Sequence, residues 1–91
     1  MATSQSKYIT FAENNAQLGD PLAMELLARR FFEGRGTDQS FQKSYYWSTI
    51  ALEKGLTYLT HMNQFALNKL SNDERELVGE ELKGWLNNPP D

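Results

Sequence analysis

The chain contains no sustained alternation of apolar and polar residues and no Asn-Gly or Asp-Gly turn, so nothing in it reads as a strand or hairpin. Its apolar residues gather instead on helical faces between glycine and proline breaks. Treating glycine as the residue just past a helix, and Asp-Pro as a cap followed by a first helical position, predicts five helices. The first covers residues 5–18 and ends at Gly19, and Asp20 then caps a second over 21–33 that opens with Pro21. A longer connection, Gly34 to Ser40, leads to a third over 41–54 closed by Gly55, and a fourth over 56–70 follows at once. Ser71 and Glu74 have the spacing of a reciprocal capping box, which starts a fifth helix running to about residue 86.

The faces of these helices differ. On the second, Leu22, Ala23, Met24, Leu26, Leu27, Ala28, Phe31 and Phe32 nearly encircle the axis, leaving one polar stripe at Glu25, Arg29 and Glu33, so this helix must be covered on more than one side. The fifth carries a single apolar stripe, Leu77, Val78, Leu82, Trp85 and Leu86, as a terminal capping helix should. Of the neighbours Tyr45, Tyr46 and Trp47, no more than two can face inward on a helix, so at least one tyrosine is a candidate contact.

A self-similarity runs through this pattern. Lys7, Phe11 and Gly19 recur as Lys43, Trp47 and Gly55, each 36 residues on, at equivalent points of the first and third helices. Gly19, Ala23, Leu27, Phe31, the loop pair Gly34 and Gly36, then Lys43, Trp47, Ala51 and Gly55 resemble, in order and spacing, the Sel-one-like repeat family, relatives of the tetratricopeptide repeats. Thr37, Ser40 and Ser44 depart mildly from that pattern, and Leu59, Asn63 and Gln64 depart more, which leaves the rotation of the fourth helix open. The resemblance implies an all-α fold, a short α-solenoid of antiparallel helix pairs in a tetratricopeptide-like superhelix. It gives one domain over 1–91, with a complete repeat at about 19–55 and a divergent last repeat at about 56–87. Gly34 and Gly36 are expected to supply positive φ angles in the loop.

Composition narrows the chemistry. With 91 residues the chain suffices for one domain with a modest core, and 12% aromatic residues argue against disorder. Nine basic against twelve acidic residues give a net charge of −3, which disfavours nucleic acid and an anionic membrane surface as partners. The absence of cysteine removes disulfides, thiolate catalysis and cysteine metal sites. The apolar runs are short and the N-terminus lacks the apolar core of a signal peptide, so a cytoplasmic location is expected. His61 is the only histidine, and no metal or other cofactor is expected. Asp73-Glu74 and Glu80-Glu81 read as helix-terminal and surface charge rather than general acid–base pairs, and Gly34-Arg35-Gly36-Thr37 lacks the lysine and strand context of a phosphate loop. No constellation supports an enzyme.

What the resemblance implies is a scaffold or adaptor that binds another protein or peptide in a concave groove. With Ala23, Leu27, Ala28 and Phe31 inward, the second helix presents Leu22, Glu25, Arg29 and Phe32, and the fourth, shifted by 36, presents Tyr58, His61, Phe65 and Asn68. Phe32 and Phe65 are the expected apolar anchors, with Glu25, Arg29 and His61 setting polarity. Two rival roles fit the same size and charge: an immunity or antitoxin-type inhibitor of a toxin or nuclease, and a repeat unit that self-associates.

Overall fold

The structure is a computed structural model, which describes residues 5–89; the first residues of the N-terminal reading and the final Pro90 and Asp91 lie outside the described residues. Five α-helices follow in order: α1 Lys7–Gln17, α2 Pro21–Glu33, α3 Phe41–Glu53, α4 Thr60–Asn68 and α5 Asn72–Asn87. Among the described residues there is no strand. The start signals act as side-chain caps. Ser6 Oγ accepts from the Ile9 amide at 3.2 Å, Asp20 Oδ1 from Leu22 at 3.0 Å and Ser40 Oγ from Lys43 at 3.1 Å. The Ser71–Glu74 box is complete in both directions, at 3.2 and 2.9 Å. The fourth helix is the exception: its first turn is a 3₁₀ turn, Thr57–Leu59, without a side-chain cap.

The 36-residue correspondence is visible in the backbone. Gly19 and Gly55 have φ of 99° and 100°, a conformation that a Cβ disfavours, and the carbonyls they leave behind are used alike. Gly19 N–H donates to Ala16 and Gly55 N–H to Leu52, at 2.9 and 3.0 Å, and both Asp20 and Leu56 reach back five residues, to Asn15 and Ala51, at 3.1 Å. The loop glycines Gly34 and Gly36 also have positive φ, and the Gly36 carbonyl accepts from the Ser6 amide at 2.8 Å, pinning the α2–α3 loop to the start of α1.

Packing follows the apolar faces. Met24, Leu27, Ala28 and Phe31 of α2 are fully buried, between α1 on one side and α3 on the other, and α2–α3 is the most extensive helix pair. Ile9, Ala12 and Ala16 seat α1 on α2. On α3, Ser44, Trp47, Ser48, Ile50 and Ala51 are buried, while Tyr45 and Tyr46 remain partly exposed. Val78 and Leu82 seat α5, and Trp85 meets Trp47 edge-on with centroids 5.9 Å apart. Leu77 and Leu86, on the flanks of that stripe, are exposed.

The last two helices are joined more loosely than the earlier ones. α5 packs chiefly on α3, and its tie to α4 is a hydrogen bond from Arg75 Nη2 to the Leu67 carbonyl at 3.0 Å. Consequently Thr60 and Gln64 of α4 are exposed, although their counterparts 36 residues earlier, Met24 and Ala28, are buried under α3. The radius of gyration, 12.3 Å, is that of a compact globule, about 12 Å for this length. The described chain is therefore an all-helical globule of five helices.

Candidate functional site

The eight residues singled out for binding all lie at the surface, and the structure divides them. Glu25, Arg29 and Phe32 of α2 face Tyr58 and Phe65 across a shallow furrow beside α4, whereas Leu22 belongs to a different concavity, against α1. His61 and Asn68 are exposed on α4.

Across the furrow the two helices hold each other. At its N-terminal end the Tyr58 phenol donates a hydrogen bond to Glu25, whose second carboxylate oxygen accepts from Arg29 Nε at 3.0 Å one turn further on. The Tyr58 bond is the main reason the Glu25 carboxyl is held below the usual carboxylate range; burial opposes it, and Arg29 adds to it. The same bond raises the Tyr58 phenol above its ordinary value. At the other end, Phe32, Phe41 and Phe65 form a three-ring cluster with centroids 5.5, 5.4 and 6.0 Å apart, and Lys69 Nζ sits 5.2 Å from the Phe65 ring centre. Phe41, at the first position of α3, is a member that the 36-residue spacing gives no reason to pick.

Between these ties lies an opening of about 240 Å³ bordered by Arg29, Phe32, Glu33 and Met62. Phe32 is thus partly spent on an internal cluster, and at this end of the furrow the ring offered outward is that of Phe65, 49% exposed.

The pair Arg29-Arg30 is split to opposite flanks of α2. Arg29 pairs with Glu25, whereas the Arg30 guanidinium lies 5.7 Å from the Tyr8 ring centre on the α1 side, so the two do not form a track. Glu80 pairs with Lys83 at 3.4 Å, and Glu74 serves the helix cap. Among the described residues no group of three or more His, Asp or Glu is placed to share a metal ion, and no helix is long and apolar enough to cross a membrane.

No family model, curated protein or solved structure matches the chain.

The second concavity, again about 240 Å³, lies between α1 and α2. Tyr8, Phe11 and Asn15 line it from α1, and Leu22 and Leu26 from α2. Phe11 is 66% exposed and Leu22 69%, although Phe11 holds the position of Trp47, which is 5% exposed. The signal for this surface was present in the sequence: Tyr8, Phe11 and Leu18 fall outside the Ile9, Ala12, Ala16 stripe that seats α1, so α1 is apolar on a second side.

Proposed function

We propose that this chain is a protein–protein interaction module, a scaffold or adaptor rather than an enzyme, that binds a partner polypeptide along the furrow between α2 and α4. The observation that carries the reading is the half-open aromatic cluster Phe32–Phe41–Phe65, bordered by Arg29, Glu33 and Met62. Aromatic, methionine and arginine side chains next to a shallow opening are the composition of binding hot spots, and Phe65 offers an anchor that the internal packing does not bury. The paired charges of Glu25 and Arg29 at the rim supply polarity to fix the direction of a bound segment.

The test is a photo-crosslinking residue placed at position 65 and, separately, at Glu76 on α5, followed by capture from the native cell. A polypeptide adduct at position 65 and none at Glu76 is the expected result. Arg29→Glu and Phe65→Ala are each expected to weaken capture of that polypeptide by about 1–2 kcal/mol with the fold retained. Adducts at Glu76 alone would move the interaction to the α5 end and end this reading.

A further inference from the structure

The concavity between α1 and α2 has an occupied counterpart in the same molecule. Five of its lining residues map 36 residues on as follows: Tyr8, Phe11 and Asn15 become Ser44, Trp47 and Ala51 of α3, and Leu22 and Leu26 become Tyr58 and Met62 beside and within α4. That second set is where α2 lies. Ser44 Oγ donates to the Ala28 carbonyl at 2.9 Å, Tyr58 donates to Glu25, and Met62 borders the same opening as Arg29 and Phe32. The α3 half of that set, Ser44, Trp47 and Ala51, is buried at 0, 5 and 0% exposure, Trp47 under Trp85 as well as α2, whereas Tyr8 and Phe11 stand 56 and 66% exposed; Tyr58, on the α4 side, keeps 60%.

The correspondence is one of geometry as well as numbering. α1 and α3 end in the same hydrogen-bonded turn, and the residues that seat α1 on α2, Ile9, Ala12 and Ala16, are the counterparts of Tyr45, Ser48 and Leu52 on α3. Of these, Ser48 is bonded to Asn63 of α4. In these turns and seating positions the α1–α2 pair repeats the α3–α4 pair; α2 lies against the concave side of α3–α4, and no helix among the described residues lies against that of α1–α2.

From this we propose that the α1–α2 concavity is a second docking site, and that its occupant is an amphipathic α-helix supplied by a partner protein. The helix would run parallel to α2, as α2 runs beside α4. α2 itself states the pattern required, a small residue flanked one turn away on each side by bulky apolar ones, as in Met24, Ala28 and Phe32. Leu22 stands where Tyr58 stands and has no hydroxyl to donate, so the incoming face is apolar where Glu25 is acidic in α2. This site is separate from the α2–α4 furrow, and Phe11 and Phe65 report on the two independently.

The probe is a peptide of residues 20–34 carrying Glu25→Leu, which gives it the apolar face that Leu22 calls for, and made helical by a lactam between positions 26 and 30 through Leu26→Lys and Arg30→Glu, on the side away from the Met24–Ala28–Phe32 face. It is titrated into the isotope-labelled full chain and followed by amide NMR. The expected result is saturable binding below about 1 mM peptide, with shifts centred on Tyr8, Phe11, Asn15 and Leu22. Phe11→Glu in the protein, or Ala28→Glu in the peptide, is expected to weaken binding by about tenfold or more, and Phe65→Ala in the protein to leave it unchanged. Because Phe11 is exposed, its substitution should leave the melting temperature near that of the wild type. No shift up to about 1 mM, or shifts centred on Phe65 and Met62, overturns the proposal. So does a concentration-dependent dimer of the chain that Phe11→Glu abolishes, since the concavity would then belong to a second copy.

Discussion

Helix α3 lies between α2 and α4 and holds them by different means. Towards α2 the seam is apolar: Leu27, Ala28 and Phe31 are fully buried against a face that includes Trp47 and Ala51, with one side-chain hydrogen bond, from Ser44, across it. Towards α4 the centre of the seam is polar. Asn63, 4% exposed, donates through Nδ2 to Ser48 Oγ and to Thr49 Oγ1, both at 2.9 Å, Ser48 Oγ in turn donates to the Tyr45 carbonyl at 3.2 Å, and Gln64 Nε2 donates to Asn63 Oδ1 at 3.2 Å. Among the described residues no buried side-chain nitrogen or oxygen lacks a partner, so the network is complete. An apolar seam depends on volume at each position separately. A polar one depends on its members being present together, and the two should fail differently under mutation.

The largest effect belongs to the apolar seam. Phe31→Ala and Trp47→Ala should each cost about 3–5 kcal/mol by equilibrium urea unfolding, a large share of the roughly 5–15 kcal/mol typical of a domain. A loss below about 1 kcal/mol at Trp47 would mean that neither α2 nor Trp85 packs on it as described.

On the polar seam, Asn63→Ala should cost about 1–3 kcal/mol, because Ser48 loses a donor in a place that water does not reach. The sharper measurement is the double change Ser48→Ala with Asn63→Leu. Removing both members relieves the unpaired group, so the pair should cost clearly less than the sum of the two single losses. Additive losses would show that Ser48 and Asn63 act separately, and the contrast between the seams would collapse.

A smaller effect tests the one polar contact in the apolar seam. Ser44→Ala should cost about 0.5–1.5 kcal/mol, the net worth of a single buried hydrogen bond, since the methyl group that remains still packs.

The same contrast explains what could be read from residue order. Glycine and proline punctuation placed the helices, because Gly19, Pro21, Gly55 and the Ser71–Glu74 pair each act within a few residues of the boundary they set. The inward face of α2 was equally legible, since Ala23, Leu27, Ala28 and Phe31 fit one helical period. Asn63 looked like a misfit at a core position; its partners are on another helix, and periodicity along α4 carries no information about hydroxyls on α3. The 36-residue spacing does bring Glu25 near Tyr58 and Phe32 near Phe65, but spacing says nothing of whether facing side chains stay apart or close on each other. For Phe11, burial depends on which helix lies over α1, and no pattern within α1 encodes that.

The smallest expected effect concerns the tie between α2 and α4 that bypasses α3. Glu25 has its carboxyl pKa lowered, chiefly by the Tyr58 hydrogen bond, so its contribution to stability is present above the unfolded carboxylate pKa and is lost as pH falls through the lower folded value. Tyr58 has its phenol pKa raised by the same bond, so its contribution is present below the ordinary phenol pKa and is lost as pH rises through the raised one. The bridge is therefore strongest between these limits and fades on both sides. Tyr58→Phe removes the shared bond while leaving Arg29 beside Glu25, so in urea midpoints measured from about pH 3 to about pH 11 the variant should differ from wild type at neutral pH and converge with it at both extremes. The difference should stay small, because Tyr58 is exposed and water competes for the bond. Two curves that run parallel across the whole range would mean that the bridge does not form in solution. α4 would then be held by its polar seam with α3 and the ring cluster at Phe65, with no contribution from Glu25.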